Sequence, residues 1–256
     1  MFQHAIVRIP GSNFADGLTS ADLGMPDFAT ALRQHVQYCE ALTTCGLEVV
    51  TLAADLAYPD STFVEDTAVL TPQAAILARP GAPTRAGEVA AIRDEIARFF
   101  PTVFEIQSPG TLDGGDICEA GTHFFLGLSQ RSNEEGLRKI AGYLDRLGCT
   151  SSIIDVRDMI SILHLKSGIA YLGDNALVLI EEFAGHPQFK NYRRIVVSEE
   201  ESYAANCVRV NDRVLIPSGN PKLLAQLKAN GFHPLPLDMS EFRKMDGGLS
   251  CLSLRF

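Results

Sequence analysis

A cysteine and a histidine in this 256-residue chain could together carry out nucleophilic catalysis. Cys251 follows a Gly-Gly pair in the segment MDGGLSC, and His164 lies in the segment LHLKS. In such chemistry a thiolate attacks an electrophilic carbon, an imidazole moves the proton, and a carboxylate orients and charges the imidazole. Catalysis by this pair therefore requires a carboxylate close to the histidine.

Two acidic segments supply carboxylates and would give the site a preference for a cation. The segment FVED ends in Glu65 and Asp66, and the segment LDGGD carries Asp113 and Asp116. Paired carboxylates bind a planar guanidinium through parallel hydrogen bonds, which also fix the plane of the group. The formal net charge of −9 suits a cationic ligand and argues against nucleic acid or an anionic membrane as partner.

Each of these residue types also has an ordinary structural interpretation. Taken alone, a cysteine such as Cys251 is more often a small buried hydrophobe, and Asp-Gly pairs are common in turns. Neighbours such as Cys39 and His35 lack the spacing of a metal site, so we interpret them as packing residues. Catalysis is favoured because the candidates occupy corresponding positions of a repeat.

The repeat is a ββαβ unit that occurs five times. Each unit opens with a hairpin of two short apolar runs, continues with a helical period and ends in a third strand. Because one unit cannot bury both of its faces, the units must pack around a common axis. The opening positions recur at roughly 40–50 residues, a spacing typical of propeller-like repeats, and would meet at that axis. They are Asp66, Asp116, Lys166, Asn206 and Ser250.

Helical periodicity predicts four clear helices, and a fifth from Glu182 to Tyr192 is the weakest. In the first helix we expect Phe28, Leu32, Val36 and Cys39 to form the buried face. The terminal run GLSCLSLRF is predicted to be a strand that pairs with the N-terminal run HAIVRIP, which would close the ring and place Cys251 on a strand. No low-complexity linker divides the chain, so residues 1–256 are interpreted as one domain.

Location and redox state follow from what the sequence lacks. The six cysteines are scattered without CxxC spacing, which indicates reduced thiols rather than a disulfide framework. The N-terminus has no basic start or long apolar region typical of a signal peptide, and no stretch has the length of a membrane span. We therefore expect a cytoplasmic protein. The sequence does not decide the oligomeric state, and a homodimer is kept open.

Six ordered motifs resemble dimethylarginine dimethylaminohydrolase, a family of the guanidine-modifying (pentein) superfamily. They are GLTSADLG, FVED, LDGGD, LHLKSG, YAANC and MDGGLSC, and they span nearly the whole chain. The resemblance implies a five-bladed α/β-propeller, in agreement with the repeat. It also implies that Cys251 is the nucleophile, His164 the general acid/base and Asp113 the carboxylate partner of that histidine. The last position holds either Glu or Asp in the family.

The resemblance further implies a set of substrate-binding residues. Contacts to the guanidinium fall on Glu65 and Asp66, and we add Asp116 from its axial position. An α-amino acid also carries a carboxylate, which two arginines at the rim of the pocket would bind, and an ammonium group that would suit an aspartate. The contacts to this end of the substrate fall on Leu18, Asp60, Arg85, Arg131 and the backbone at Met245. The segment from Asp16 to Gly24 is predicted to be a lid.

The function implied is hydrolysis of an Nω-methylated L-arginine to L-citrulline and an alkylamine through a covalent S-alkylthiouronium on Cys251. No metal or organic cofactor is expected, because the substrate brings its own positive charge. Alternatives within the superfamily are arginine deiminase and citrulline hydrolase. An agmatine deiminase is disfavoured by the two arginines, and amidinotransferases commonly carry His where Ser250 stands. From another class, a non-catalytic propeller that only binds a partner is disfavoured by the presence of both Cys251 and His164.

Overall fold

The chain forms five three-stranded sheets arranged around one axis. The structure, a computed structural model, describes residues 1–256. Its strands are β1 (His4–Arg8), β2 (Glu48–Leu52), β3 (Ala68–Leu70), β4 (Ala75–Leu77), β5 (Val103–Glu105), β6 (Ile117–Ala120), β7 (His123–Leu128), β8 (Thr150–Asp155), β9 (Ile169–Tyr171), β10 (Ala176–Ile180), β11 (Arg193–Val197), β12 (Val208–Val210), β13 (Arg213–Pro217), β14 (His233–Leu237) and β15 (Leu254–Arg255). The α-helices are α1 (Phe28–Thr44), α2 (Glu88–Ala97), α3 (Glu134–Arg146), α4 (Pro221–Ala229) and the short α5 (Ser240–Arg243).

All five sheets share one topology, which confirms the predicted five-bladed α/β-propeller, and four of the five repeats carry the predicted helix. In each sheet the first two strands form an antiparallel hairpin and the third strand runs parallel to the middle one, as in β3–β4–β5. The fifth sheet has the order β15–β1–β2, in which β1 pairs antiparallel with β15 and parallel with β2. The two ends of the chain therefore close the ring, as predicted.

Local sequence signals explain where the helices begin and end. The Asp27 side chain caps α1 by accepting from the backbone N–H of Thr30, and Asn133 caps α3 in the same way. Pro221 is the first residue of α4, where its missing N–H has no helical partner to lose. After α1, Gly46 has a φ of +91°, a left-handed conformation that glycine adopts without strain.

The predicted fifth helix, from Glu182 to Tyr192, is wrong. Two 3₁₀ turns occupy this stretch, Glu181–Phe183 and Pro187–Phe189. Pro187 cannot donate a helical hydrogen bond, and it holds the residue before it, His186, in an extended conformation. The third repeat therefore replaces the helix by two short turns.

The face predicted for α1 is correct only in part: Phe28 and Cys39 are partly buried against the core. Val36 is 55% exposed, whereas the buried residues are Ala31, Gln34, His35, Tyr38, Ala41 and Leu42. The helix turns its Tyr38 hydroxyl inward because it finds partners there: it donates to the backbone oxygen of Leu249 at 2.9 Å and lies 2.6 Å from Ser253 Oγ. These two contacts bracket the segment that contains Cys251.

The hydrophobic core consists of four clusters that fill the spaces between sheets and helices. The largest has 26 buried residues and is built around β10, whose five residues are all buried. None of the helices combines the length and the apolar character needed to cross a membrane.

Candidate active site

A small cavity of about 30 Å³ lies near the axis, and it brings together most of the predicted site residues. It is lined by Leu18, Asp60, Phe63, Asp66, Arg85, Arg131, Leu163, His164, Met245, Asp246, Gly247 and Cys251. This volume holds no more than a few water molecules. An amino acid can enter only after the surrounding segments move apart.

The nucleophile candidate lies on a turn rather than on a strand, contrary to the sequence prediction. Cys251 is the middle residue of a 3₁₀ turn, Ser250–Leu252, and β15 begins only at Leu254. The Cys251 sulfur accepts a hydrogen bond from the backbone N–H of Gly248 at 3.4 Å. Burial raises the pKa of the Cys251 thiol to about 12, with further contributions from the carboxylates of Glu65 and Asp66. The thiol is therefore protonated in the empty protein.

His164 and Asp113 form a hydrogen-bonded pair from two different repeats. The Nε2 atom of His164 lies 3.0 Å from Oδ2 of Asp113, whose side chain is fully buried. The other carboxylate oxygen accepts from the Gly81 N–H at 2.8 Å, which fixes the carboxylate plane. Burial alone would lower the pKa of His164, but the carboxylates of Asp66, Asp116 and Asp113 raise it to about 9. The imidazole is therefore a cation at neutral pH and can donate a proton.

Asp66 is the predicted guanidinium ligand that faces the cavity. Its Oδ1 accepts from the Gly115 N–H at 2.8 Å, and its Oδ2 lies 2.6 Å from Nη1 of Arg85. A Cβ at Gly115 would lie 2.9 Å from both Asp66 Oδ1 and the His164 ring, so glycine is needed for these groups to approach each other.

Arg85 lies beneath the pocket and not at its rim, which corrects the predicted position. It is 5% exposed, and its guanidinium binds Asp66 on one side and Glu88 on the other, with Nη2–Oε2 at 2.8 Å. Burial raises the pKa of Glu88 to about 7, against the opposing effect of Arg85. Arg131 is half-buried at the same cavity, and its backbone N–H donates to Ser129 Oγ. Of the two arginines, Arg131 alone lies near the surface.

The side chain of Glu65 lines a different cavity and not the substrate pocket in which the sequence placed it. Its Oε1 lies 2.7 Å from Lys166 Nζ and 3.3 Å from Nη2 of Arg255, and its Oε2 accepts from Ser250 Oγ at 2.7 Å. This second cavity, of about 150 Å³, is lined by Glu65, Lys166, Ser250 and Arg255 but not by Cys251. Glu65 therefore has cationic partners of its own in the protein.

Asp116 does not line the pocket either, although the sequence placed it among the substrate contacts. It is fully buried, and its Oδ2 accepts from the hydroxyls of Ser129 and Ser132, both at 2.6 Å. Its Oδ1 accepts from the Leu165 N–H at 3.0 Å, directly after His164. All of these partners are protein groups, and through the Leu165 N–H Asp116 supports the His164 turn.

The predicted lid lies closed over the cavity. Both oxygens of Asp60 accept from the Leu18 N–H, at 3.0 and 3.2 Å. The Ser20 hydroxyl donates to Asp246 at 2.9 Å, and Thr19 donates to the Lys244 carbonyl at 2.8 Å. The segment is therefore tied both to the first repeat and to the segment before Cys251.

Several residues of the site were missed in the sequence. Phe63, Leu163, Asp246 and Gly247 line the cavity, and Glu88 lies beneath it. The i,i+3 spacing of Arg85 and Glu88 is the one signal that could have revealed such a pair. Asp66, Asp113 and His164 present ligand atoms within 4.8 Å of one another, which is the arrangement of a three-ligand cation site. Protonated His164 and Arg85 already provide positive charge there.

A half-buried thiol that shares one cavity with a histidine–aspartate pair, in a five-bladed α/β-propeller, defines a guanidine-modifying enzyme of the pentein class. An N(G),N(G)-dimethylarginine dimethylaminohydrolase of Pseudomonas aeruginosa is 45% identical over 257 residues, covering all of both chains. One of Streptomyces coelicolor is 32% identical and covers 98% of this chain and 96% of its own. The chain therefore belongs to the dimethylarginine dimethylaminohydrolase family. No family model matches it.

Solved structures agree over the whole chain. A cysteine-to-serine variant of the Pseudomonas aeruginosa enzyme, complexed with citrulline, has a TM-score of 0.97 at 44% identity and full coverage of both chains. A histidine-to-glycine variant of a dimethylarginine dimethylaminohydrolase, described as an adduct with S-methyl-L-thiocitrulline, gives the same values. The N-terminal domain of ArgZ, at 20% identity and a TM-score of 0.89, shares the fold.

Proposed function

We propose that this protein hydrolyses Nω-methylated L-arginine, mono- or asymmetrically dimethylated, to L-citrulline and methylamine or dimethylamine. The observation that carries the proposal is one cavity that contains Cys251, Asp66 and His164, the last hydrogen-bonded to Asp113. Family membership supports the same reaction. The citrulline complex of the Pseudomonas aeruginosa variant supports the product class.

In the first half-reaction the Cys251 sulfur bonds to the central guanidinium carbon while Asp66 holds the nitrogens. A bound guanidinium places a positive charge beside the sulfur, which lowers the thiol pKa, and the thiol proton passes to solvent. Protonated His164 then gives its proton to the departing alkylamine as the C–N bond breaks. An S-alkylthiouronium on Cys251 remains.

In the second half-reaction neutral His164 takes a proton from a water molecule, and the resulting hydroxide adds to the thiouronium carbon. The C–S bond breaks as the added hydroxyl loses its proton, the ureido group of citrulline forms, and this proton goes to the departing sulfur and restores the Cys251 thiol. Asp113 keeps the imidazole oriented in both steps because its other oxygen is held by the Gly81 N–H. In total, one water is consumed for each amine released.

The amino-acid end of the substrate is proposed to lie toward the lid. Arg131 would bind the substrate carboxylate, together with the Nη1–H of Arg85 that does not point to Asp66. Asp60 would bind the ammonium group. Leu18 and the backbone at Met245, which line the same cavity, would contact the substrate chain. For Glu65 we propose support from behind the pocket, since its oxygens already have cationic and hydroxyl partners.

Identification of the amine product tests this function. The purified protein is incubated with monomethylarginine, asymmetric dimethylarginine, arginine, agmatine and citrulline, and amines and citrulline are measured. We expect methylamine or dimethylamine in equal amount to citrulline. Ammonia from arginine as the dominant product would instead identify an arginine deiminase, and consumption of citrulline a citrulline hydrolase. No turnover and no selective labelling of Cys251 by a chloroacetamidine would indicate a binding protein.

Two broader assignments remain proposals. We propose that residues 1–256 act as one catalytic domain, because the site draws on four of the five repeats. A cytoplasmic location is proposed because all six cysteines are free thiols, as suits a reducing compartment. Limited proteolysis and cell fractionation test them. Sedimentation measures whether copies associate as a homodimer.

A further inference from the structure

The side-chain amide of Asn206 joins the two turns that carry Cys251 and His164. Its Nδ2 donates to the backbone oxygen of Lys166 at 3.1 Å, two residues after His164. Its Oδ1 accepts from the backbone N–H of Ser250 at 3.0 Å, directly before Cys251. Asn206 is 6% exposed. One buried amide therefore spans from the third repeat to the fifth.

The chemistry of the partners fixes the orientation of this amide. A carbonyl, such as that of Lys166, can only accept and a backbone N–H, such as that of Ser250, can only donate, so the oxygen and nitrogen of Asn206 cannot be exchanged. Nδ2 also donates to Ser250 Oγ at 3.2 Å. That hydroxyl in turn directs its own proton to Glu65 Oε2 at 2.7 Å. The network continues to Lys166 Nζ, which pairs with Glu65.

The turn that carries the sulfur is held by side chains from outside it: Tyr38 donates to the Leu249 oxygen and Arg255 to the Ser250 oxygen, while Asn206 accepts from the Ser250 N–H. Two glycines, Gly247 and Gly248, precede it, and no side chain caps it. A Cβ at Gly248 would lie 2.4 Å from Cγ of Asn206, so the amide packs directly against this backbone. The same Gly248 donates its N–H to the Cys251 sulfur. The amide thus holds the backbone group that contacts the sulfur.

We propose that Asn206 is a positioning residue that sets the location of the Cys251 sulfur relative to the His164 imidazole; for turnover this rests on the proposed function. Asn206 contacts no reacting atom and acts only through the two turns. Attack on carbon requires near-attack geometry, and a displacement of about 1 Å costs on the order of 100-fold in rate. Loss of the amide should therefore slow bond formation while binding of the ligand is preserved.

Two variants and a matched control test the proposal. Asn206→Asp has the same shape but loses both N–H donors, and Asn206→Ala loses all three hydrogen bonds. The control is Asn211→Asp, because Asn211 also makes three backbone contacts, to the Phe2 N–H, the Phe2 oxygen and the Cys45 oxygen. Its φ of +54° is one that Asp tolerates as Asn does. For each protein we measure kcat and KM with methylarginine, kinact and KI for chloroacetamidine, and the urea midpoint.

We expect both Asn206 variants to lose about 100-fold in kcat and kinact with little change in KM and KI. The control should lose stability without losing kinact. The proposal would be overturned if a folded Asn206→Ala kept the wild-type kinact. It would also be overturned if kinact fell with the urea midpoint to the same extent in the control as in the Asn206 variants. A defect confined to Asn206→Asp that disappears as the pH rises would also overturn it. In that case the new carboxylate acts only by raising the pKa of the Cys251 thiol, and a higher pH restores the thiolate.

A second measurement covers the case in which neither Asn206 variant folds. Ser250→Ala removes only the hydroxyl link and should lower kinact about tenfold, the equivalent of one hydrogen bond of roughly 1.4 kcal/mol; an unchanged kinact would count against the proposal. Labelling also separates the two hypotheses. If wild type forms no citrulline but kinact still depends on Asn206, the proposed function fails and the positioning role stands.

Discussion

The Nη1 atom of Arg85 lies 2.6 Å from Oδ2 of Asp66, and both side chains are buried. Burial would raise the pKa of Asp66, but His164 and Arg85 lower it to about 2. The carboxylate proposed to bind the substrate guanidinium is therefore ionised at neutral pH. A guanidinium of the protein itself orients this carboxylate before the substrate arrives.

This ion pair predicts that the two arginines differ. Arg85→Ala leaves Asp66 and Glu88 buried without their cation, and we expect it to lower the free energy of unfolding by about 3–5 kcal/mol. Arg131→Ala should leave stability unchanged and raise KM for methylarginine. It should hardly affect binding of a guanidinium ligand that lacks a carboxylate. Urea unfolding and inhibition constants for both ligand classes check this. Equal losses for both ligands in Arg131→Ala would show that this arginine is structural.

Cys251→Ser should bind methylarginine and form no citrulline, because an unactivated hydroxyl is a far weaker nucleophile than a thiolate. Cys118→Ser and Cys207→Ser are the matched controls, since both thiols are buried in the core away from the cavity, and they should retain turnover. Calorimetric binding and a citrulline assay measure the two quantities. Turnover near the wild-type rate in Cys251→Ser would remove the mechanism.

Ionisation of the Cys251 thiol should depend on the substrate. Burial and the carboxylates of Glu65 and Asp66 raise its pKa to about 12, so the empty protein should show no Cys251 thiolate at neutral pH. A bound guanidinium should bring this pKa down. The ultraviolet absorbance of the thiolate, titrated in wild type and Cys251→Ser with and without a non-reactive guanidinium analogue, measures the shift. A fully ionised Cys251 without ligand would instead indicate a preformed ion pair with His164.

Stability should fall with rising pH because of His164. Its folded-state pKa of about 9 lies above the ordinary value of 6.5, so the folded protein retains a proton that the unfolded chain releases. This contribution is fully present below pH 6.5 and is lost as the pH approaches 9, by at most about 1.4 kcal/mol per pH unit. Urea unfolding of wild type and His164→Asn between these values tests it. The same slope in both proteins would contradict the assignment.

Much of the fold could be predicted because the residues that form its turns and end its helices act locally. Asn211, in the hairpin turn Asn211-Asp212, and Gly148, which follows α3, both have positive φ. Such conformations depend on residue type alone. The helical pattern from Glu182 to Tyr192 failed because Pro187 overrides periodicity. The face of α1 was predicted only in part, because the hydrogen bonds of Tyr38 form with residues more than 200 positions away.

The site residues were predicted more accurately by position than by direction. Glu65 and Asp66 are adjacent in one turn, yet their side chains line different cavities. A 3₁₀ turn sends neighbouring side chains to different sides, and sequence does not show which side meets the ligand. The burial of Arg85 and Asp116 likewise depends on partners from other segments, Glu88 for the first and Ser129 and Ser132 for the second.

No repeat contains more than one of the groups proposed to react. Asp66 lies in the repeat that begins with β3, Asp113 precedes β6, His164 precedes β9, and Cys251 precedes β15. A chain in which the blade of His164 or the blade of Cys251 is undocked therefore has no nucleophile near its acid. The contact that completes the ring, between β15 and β1, aligns only two residue pairs. We therefore expect a molecule whose ring is open at this contact to lack activity, so that turnover reports on closure of the ring.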